Sequence, residues 1–276
     1  MTNSVHTNNA ASIALQNLTR TNDRLSDVQG RVSTGLKVQG AKDNAAIWAI
    51  AQGQRADVGA LSAVKQSLDR ATSIADVALS AGESISDLLN QLKEKVTAAK
   101  DESLKTQSRQ LLNADFKALL KAIGSAVQNS SFDGGNILNG SLTNGIKFLA
   151  NADASSSITL SAKNLSLGGA IIELSMSDSL LTLTGATQAL TRLDDSITQL
   201  NAALGEIGAQ AKQIEAHNGF VTKLMDTLES GIGNLVDADL AKESARLQAL
   251  QVQQQLGAQA LSIANQSPQI ILSLFQ

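Results

Sequence analysis

Cysteine is absent from this chain of 276 residues, proline occurs once, and aromatic residues make up only 2%. Without cysteine there can be no disulfide framework, no cysteine-ligated zinc site and no thiol catalysis. The single proline, Pro268, leaves the long helical patterns described below uninterrupted. With one Trp, five Phe and no Tyr, small aliphatic side chains must fill the interior. That composition favours narrow helix interfaces over a ligand pocket walled by aromatic residues.

A large charge of one sign and a long apolar run are also missing. The formal net charge is -3 and the lysines and arginines are scattered, so nucleic acid is not expected as a partner. No window approaches the roughly 18 apolar residues that cross a bilayer, so membrane insertion is not expected. The first residues, MTNSVHTNNAAS, lack the basic and apolar regions of a cleaved secretory signal. This fits either a cytosolic protein or export by a route that cleaves nothing.

Side chains suited to catalysis or metal binding do not converge in the sequence. His6 and His217 are the only histidines, and neither lies in an HExxH motif. Asp237 and Asp239 are two residues apart and so would lie on different faces of a helix. We interpret them as acidic residues that complement a helix N-terminus, not as metal ligands. We therefore expect no enzyme activity, no catalytic residue, no bound metal and no cofactor.

Two long stretches carry apolar residues at alternating spacings of three and four, the pattern of helices that pack side by side in a coiled coil. In the C-terminal stretch thirteen of fourteen such positions are apolar. The exception, Asn218, is expected to set the register of the packing or to mark where the packing partner changes. The N-terminal seam comprises Leu61, Val64, Leu68, Ala71, Ala75, Ala78, Gly82, Ile85, Leu89, Leu92, Val96 and Ala99. The C-terminal seam comprises Leu190, Leu193, Ile197, Leu200, Leu204, Ile207, Ala211, Ile214, Asn218, Val221, Met225, Leu228, Ile232 and Leu235.

Shorter helical patterns precede and follow the N-terminal seam. A helix is predicted over 12–36, ended by Gly35. A polar connector over 36–44 leads to the helix of the N-terminal seam, which is expected to run to about residue 100. A further helix over 104–128 should fold back antiparallel on it through a short turn. The apolar positions of the first helix are Leu18, Leu25, Val28 and Val32.

The middle of the chain has a different pattern of apolar residues from the helical seams. Between 129 and 188, short alternating apolar runs bounded by Asn, Gly, Asp and Ser predict β-hairpins. The runs are Ile146 with Phe148, Ile158 with Leu160, Leu165 with Leu167, Leu174 with Met176, and Leu181 with Leu183.

A last helix to about Ala264 carries Leu240, Leu247, Leu250, Leu256 and Ile263. The apolar end that follows indicates an interface; it contains Ile270, Ile271, Leu272, Leu274 and Phe275.

These patterns predict a mainly α fold. We expect an elongated antiparallel helical coiled-coil bundle with paired N- and C-terminal helices and a small β-hairpin region in the middle of the chain. The two terminal segments have to meet in space, because the strand-like stretch lies between the seams. Such an arrangement is more typical of a filament subunit than of an enzyme.

Two segments resemble the signatures of the bacterial flagellins. Residues 18–51, LTRTNDRLSDVQGRVSTGLKVQGAKDNAAIWAIA, resemble the N-terminal signature, a leucine-spaced helix followed by a tight turn and an Ala-Lys-Asp-Asn-Ala-Ala segment. Residues 207–276, with DADLAKESARLQALQVQQQLGAQAL and ANQSPQIILSLF, resemble the C-terminal signature. The resemblance covers roughly the first 130 and the last 90 residues. It identifies a short flagellin with only the terminal core domains.

The resemblance implies a domain plan and a function. Residues 1–43 and 236–276 would form an inner core domain of paired terminal helices that is disordered in the monomer. Residues 44–235 would form a rod-like helical domain with a hairpin insert at about 130–188. The chain would be a structural subunit that polymerises through its terminal helices into the flagellar filament for swimming motility. It would be secreted by the flagellar export apparatus without a cleaved signal.

The resemblance also implies partners and contact residues. Partners would be copies of this chain and other flagellins, hook-junction and filament-cap proteins, and a flagellar export chaperone. Ser155, Ser156 and Ser157 are candidate O-glycan acceptors, for which a plain solvated loop is the alternative. Two other functions stay open, a hook–filament junction protein and a cytosolic signalling coiled coil. The predicted polymerisation interface comprises Leu18, Leu25, Val28, Val32, Leu247, Leu250, Leu256, Ile263, Ile271, Leu272, Leu274 and Phe275.

Overall fold

The structure, a computed structural model, describes the backbone of residues 7–273 and the side chains of residues 7–266. Two compact units are present, a central unit of Asp57–Asp226 and a terminal unit that combines the described residues up to Ala56 with those from Thr227 onward. The elements in chain order are α1 (Asn9–Thr34), α2 (Ala45–Ala99), α3 (Thr106–Asn129), β1 (Ile146–Leu149), β2 (Ser157–Leu160), α4 (Leu183–Val236) and α5 (Leu240–Ser273). The predicted mainly α fold with a small hairpin is confirmed.

Polar caps and one glycine fix the helix ends. The side chain of Asn8 accepts a hydrogen bond from the N–H of Ala11 at the start of α1. Gly35 ends α1 as predicted, with a φ of 73° and its N–H bonded to the carbonyl of Arg31. The Asn44 side chain accepts from the N–H of Ile47 at the start of α2. These local signals explain why the observed bounds of α1 and α2 lie close to the predicted ones. The predicted end of the last helix at about Ala264 is wrong, because α5 continues to Ser273.

In the central unit α2 and α4 pack antiparallel. Lys93 forms an ion pair of 2.7 Å with Asp194, whereas Asp69, earlier in α2, accepts a 2.6 Å hydrogen bond from Asn218, later in α4. Between these contacts a Cβ on Gly82 would lie 2.2 Å from Cδ2 of Leu204, so the absence of a side chain there permits the close approach. Every N-terminal seam residue is buried, and every C-terminal seam residue is buried or half-buried. The predicted seams are confirmed.

The turn between α2 and α3 is held by a buried arginine. The Arg109 guanidinium donates to the carbonyls of Ala99 and Asp101, the latter at 2.9 Å. The Ala99 carbonyl ends α2 and has no partner inside that helix, whereas the Asp101 carbonyl lies in the turn that follows. The predicted short turn between these two helices is confirmed. It contains Asp101, Glu102 and Ser103, and α3 begins at Thr106.

The middle of the chain forms one hairpin among the described residues. Strands β1 and β2 pair antiparallel with Ile146 opposite Leu160 and Phe148 opposite Ile158. Phe148 and Leu160 are buried, whereas Lys147 and Leu149 are exposed. The alternation therefore turns one face of the hairpin inward, as the period of two predicts.

The expectation of further hairpins in this region is wrong. Leu165 and Leu174 are buried, but their backbones make only isolated bonds, from the N–H of Leu165 to the carbonyl of Leu138 and from the N–H of Gly168 to the carbonyl of Leu174. The run of Leu181 and Leu183 fails for another reason. The hydroxyl of Thr182 accepts from the N–H of Gly185 and caps α4, so the helix begins inside the predicted insert.

In the terminal unit the segment between α1 and α2 pairs with the segment between α4 and α5. Leu36 and Asp237 form an isolated antiparallel bridge. The N–H of Lys37 donates to the carbonyl of Val236, and the N–H of Ala238 donates to the carbonyl of Gly35, both at 2.8 Å. This short backbone pairing joins the segment before α2 to the segment after α4. It therefore places the end of α1 beside the start of α5.

Candidate assembly site: the terminal helix pair

Helices α1 and α5 form an antiparallel pair. Near the start of α1, the Asn8 amide donates to the Ala264 carbonyl at 2.7 Å. Halfway along, the Gln254 amide donates to the Asn22 side chain at 2.8 Å. These contacts join residues more than 200 positions apart in sequence. The predicted pairing of the terminal helices is thus present within one chain.

A short apolar core lies between these two helices, and we call its residues the inner seam. Leu25, Val28 and Leu250 are buried, and Val32 and Leu247 pack against them half-buried. Leu25, Val28 and Leu250 are the only buried apolar residues that α1 and α5 contain over their described side chains. The pair therefore has a small core for its length.

Toward the start of α1 the two helices come close because α5 has a glycine. A Cβ on Gly257 would lie 3.2 Å from Cδ1 and 3.9 Å from Cβ of the half-buried Leu18. A larger side chain at position 257 would force the helices apart or displace Leu18. Gly257 thus extends the helix contact beyond the inner seam.

At the other end of the pair a buried carboxylate connects the helices. Glu243 has only 9% of its side chain exposed, and its Oε1 lies 3.7 Å from Nη1 of Arg31 and 3.4 Å from Nη1 of Arg246. Its second carboxylate oxygen, Oε2, has no hydrogen-bond partner among the described residues. The two guanidinium groups offset part of the cost of burying this charge.

One face of α5 is apolar and uncovered, and we call it the outer stripe (Val252, Leu256 and Ile263). These side chains are 54%, 60% and 63% exposed. They follow Leu250 by two, six and thirteen residues, which at about 100° per residue puts all three on the side of α5 opposite α1. Leu240 on α5, and Ile13 and Leu15 on α1, are exposed as well. Exposed apolar rows of this kind are typical of interaction surfaces.

The predicted interface residues divide into three groups. Leu18, Leu25, Val28, Val32, Leu247 and Leu250 pack within the α1–α5 pair. Leu256 and Ile263 point away from it and are exposed. Ile271 and Leu272 belong to the backbone of α5, but their side chains, like Leu274 and Phe275, lie outside the described residues.

Sequence reasoning missed the outward position of Val252 and the exposure of Ile13 and Leu15. A heptad pattern assigns one apolar face to a helix, whereas α5 has two, the inner seam that packs against α1 and the exposed outer stripe. The heptad pattern therefore did not distinguish the outer stripe from the inner seam. The spacing of four from Val252 to Leu256 and of seven from there to Ile263 was the available signal.

The candidate glycan acceptors lie in and beside the β1–β2 turn, with Ser157 as the first residue of β2. Ser155, Ser156 and Ser157 are all exposed. The N–H of Ser155 donates to Asp153 at 3.2 Å and its hydroxyl at 3.0 Å. These bonds, from the backbone first and the hydroxyl second, lower the pKa of Asp153. The Ser155 hydroxyl is therefore occupied by the turn, whereas Ser156 donates only its backbone N–H, to Asn151.

Two of the groups considered for metal binding, Asp239 and His217, have structural roles. Asp239 caps α5, with its Oδ1 accepting from the N–H groups of Ala241 and Lys242. The ring of His217 forms a 2.7 Å hydrogen bond with the Ala150 carbonyl, and His6 lies outside the described residues. Over the described part of the chain no three His, Asp or Glu side chains come together as a metal site. Within the same residues, no helix combines the length and apolar character of a bilayer span.

The fold and the terminal helix pair define a class, a mainly α protein in which the first and last helices pack together and leave an apolar stripe exposed. Comparison with known protein families makes the class specific. Residues 5–143 match the bacterial flagellin N-terminal helical region, and residues 190–275 match the bacterial flagellin C-terminal helical region. The two matches together cover most of the chain.

Individual relatives agree over nearly the full length. The chain is 54% identical to flagellin FljJ of Caulobacter vibrioides over 275 residues, 99% of this chain and 98% of that one. It is 38% identical to a flagellin of Brucella melitensis over 282 residues, 99% of each chain. A solved structure described as a flagellar hook-associated protein of Vibrio parahaemolyticus has a similar fold, with a TM-score of 0.58, 13% identity, and coverage of 71% of this chain and 100% of that one.

The chain belongs to the bacterial flagellin family. It is a structural subunit of the flagellar filament, in the short form that has only the terminal domains. The two alternatives, a hook–filament junction protein and a cytosolic signalling coiled coil, are not favoured, because full-length relatives are flagellins. The likeness to the hook-associated protein shows a shared fold and carries no function at 13% identity.

Proposed function

We propose that this subunit polymerises through the outer stripe of α5, which packs against terminal helices of neighbouring copies. The observation that carries the proposal is the exposure of Val252, Leu256 and Ile263 on the side of α5 opposite α1. In a helical homopolymer every copy presents the same stripe, so each stripe can be covered by an equivalent neighbour. Ile271, Leu272, Leu274 and Phe275 extend this apolar contact at the end of the chain.

The inner seam has a different role in the same assembly. Leu18, Leu25, Val28, Val32, Leu247 and Leu250 hold α1 against α5 and thereby orient the outer stripe. They act on polymerisation by shaping the subunit. Loss of an inner-seam side chain should therefore weaken the helix pair first and the filament second.

The terminal segments 1–43 and 236–276 order when the subunit enters the filament, whereas 44–235 is folded beforehand. The small core of the α1–α5 pair supports this, since ordering a residue costs roughly 1–2 kcal/mol in backbone entropy and few apolar side chains are buried in return. Isolated amphipathic helices are marginal until a partner covers their apolar face. Covering the outer stripe supplies that burial.

The substitution pair Leu256→Ser with Ile263→Ser tests the stripe. We expect the soluble subunit to keep its helical circular dichroism while filament formation, followed by sedimentation and electron microscopy, is lost. The matched control is Gln255→Ser, an exposed polar position on the same helix, which should assemble normally. Normal filaments from the double variant would refute the stripe as an assembly surface. A separate variant that lacks Ile270–Gln276 should also fail to grow filaments.

Export, partners and modification complete the proposal. The chain leaves the cell through the flagellar export apparatus without cleavage, escorted by a chaperone, and meets hook-junction and cap proteins and other flagellins at the growing end. It performs no catalysis. Ser155, Ser156 and Ser157 are the proposed O-glycan acceptors. The hydroxyl of Ser155 is engaged by Asp153, whereas the hydroxyls of Ser156 and Ser157 make no hydrogen bond with a described residue. Intact mass measurement of protein from filaments checks both points, since a cleaved signal lowers the mass and glycans raise it.

A further inference from the structure

The chain contains three Asn-Gly sequences, Asn139–Gly140, Asn144–Gly145 and Asn218–Gly219. At such a sequence the backbone nitrogen of the glycine can attack the side-chain amide carbon of the asparagine, because glycine has no Cβ to obstruct the approach. The attack needs an asparagine side chain that can rotate and a backbone nitrogen that is not already engaged. The structure places the three sequences in three different environments.

Both its backbone and its side-chain hydrogen bonds protect Asn218 from this reaction. It lies in α4, where the N–H of Gly219 belongs to the helical hydrogen-bond ladder. Its side-chain amide donates to Asp69 at 2.6 Å, and its side-chain oxygen accepts from Lys65 at 3.5 Å. Both reacting groups would have to leave their partners, so reaction at Asn218 requires local unfolding of the helix.

Asn139 is protected by its side chain. Its Oδ1 accepts hydrogen bonds from the N–H of Ser141 at 2.9 Å and from the Ser141 hydroxyl at 2.6 Å. Its own N–H donates to Asn136 at 3.1 Å, and the residue is half-buried. Turning the amide carbon toward Gly140 would break the two bonds to Ser141.

Asn144 has none of these constraints. The residue is exposed in the irregular segment before β1, and its side chain makes no hydrogen bond with any described residue. The N–H of Gly145 likewise has no acceptor among them. We propose that Asn144 is a site of spontaneous deamidation, selected by the fold over the other two Asn-Gly sequences.

The reaction balances without an oxidant or a cofactor. The Gly145 nitrogen bonds to Cγ of Asn144 and loses its proton to solvent, while the side-chain nitrogen leaves as ammonia. The resulting cyclic imide is opened by water at either carbonyl, which gives aspartate or isoaspartate. The net change is one water consumed, one ammonia released and one negative charge gained at neutral pH.

The isoaspartate product has a structural consequence. It inserts an extra methylene into the backbone directly before Gly145. That residue lies so close to β2 that a Cβ on it would be 2.2 Å from the Leu160 carbonyl oxygen. The inserted atom disturbs the first pair of the hairpin, Ile146 with Leu160.

The test is a peptide map of folded protein aged in mildly alkaline buffer. Tryptic cleavage puts Asn218 in the peptide 213–223 and puts Asn139 and Asn144 together in 122–147, where fragmentation separates them. We expect deamidation at Asn144 to be faster than at either other site by more than about tenfold. Equal or faster reaction at Asn139 or Asn218 in the folded protein would overturn the proposal.

Two controls separate the fold from the local sequence. In denaturant the protecting hydrogen bonds are gone, so the three rates should approach one another. If the advantage of Asn144 stayed unchanged there, the fold would not be its cause and the proposal would fail. The variant Asn144→Gln should lose the mass change in peptide 122–147, because its longer side chain would have to close a larger ring.

Discussion

At the scale of single residues, Gly145 illustrates how one backbone position determines a local fold. Its φ is 71°, and a Cβ there would meet the backbone oxygen of Leu160 at 2.2 Å. We expect Gly145→Ala to destabilise the central unit by at least about 2 kcal/mol, because left-handed strain and a backbone clash combine. Thermal unfolding measures the change.

The control for this prediction is Gly134→Ala. Gly134 has a φ of 76°, but nothing lies within 4 Å of its added Cβ. It should cost only the left-handed strain, about 1 kcal/mol. Equal losses of stability in the two variants would show that the close approach to Leu160 contributes nothing.

Asp153 provides a residue-scale prediction about pH. Its pKa is lowered first by the N–H of Ser155 and then by the Ser155 hydroxyl. A lowered pKa means that the ionised carboxylate supports the turn above the ordinary aspartate value of about 3.9, and that this support is lost as pH falls through the lower folded value. Ser155→Ala should raise the pKa of Asp153 part of the way back, as measured by NMR titration of its carboxyl carbon. An unchanged pKa would mean that the hydroxyl makes no such bond.

The role of a single residue could be predicted from the sequence only where that role depends on its sequence neighbours. Gly35 as a helix end and Asp239 as a helix cap follow from sequence neighbours alone. Arg109 and Glu243 could not be anticipated. Arg109 caps the end of a different helix, and the buried carboxylate of Glu243 meets Arg31 from the opposite end of the chain. Contacts of that kind exist only after the fold brings the segments together.

At the scale of elements, periodicity carried most of the prediction. A spacing of three and four sustained over many turns determines which side of α2 and α4 faces inward, and every seam position is buried or half-buried in the structure. Alternation of apolar residues over two or three positions was much weaker evidence for strands. Of the five short apolar runs in the middle of the chain, only the two that contain Phe148 and Leu160 pair as strands. Turn hydrogen bonds and the capping of α4 by Thr182 decided the others.

The α1–α5 pair permits a cross-link prediction, helped by the absence of cysteine elsewhere in the chain. A Cβ on Gly257 would lie 3.9 Å from Cβ of Leu18, close to the mean spacing of about 3.8 Å in disulfides. The variant Leu18→Cys with Gly257→Cys should therefore oxidise within one chain. Non-reducing electrophoresis of oxidised filaments should show single chains with altered mobility.

The matched control for the cross-link is Leu18→Cys with Ile263→Cys. Ile263 lies on the outer stripe, 63% exposed and on the side of α5 away from α1, so this variant should not form an intrachain bond. A ladder of linked chains from Leu18→Cys with Gly257→Cys would mean that α1 pairs with α5 of a neighbour. That outcome would contradict the packing of α1 against α5 of the same chain.

At the scale of the whole molecule, burial is distributed unevenly between the two units. The largest fully buried side chains, among them Phe116, Phe148, Leu68 and Leu89, belong to the central unit. The described side chains of α1 and α5 have three buried apolar residues between them, and their outer stripe is uncovered. This distribution supports the proposal that the central unit folds alone and that the terminal unit gains most of its burial from neighbouring copies.

Limited proteolysis of the subunit before and after assembly tests this division. In the monomer we expect α1 and α5 to be digested first and to leave a resistant fragment of roughly 44–235. Proteases cut segments that open often, and the open fraction is set by local stability. In the filament the same cleavage sites should become resistant, because each outer stripe is then covered. The substitution pair Leu256→Ser with Ile263→Ser should show the monomer pattern under both conditions. Terminal helices that resist protease equally before and after assembly would mean that the inner seam alone stabilises them, and the stripe would then have no part in their folding.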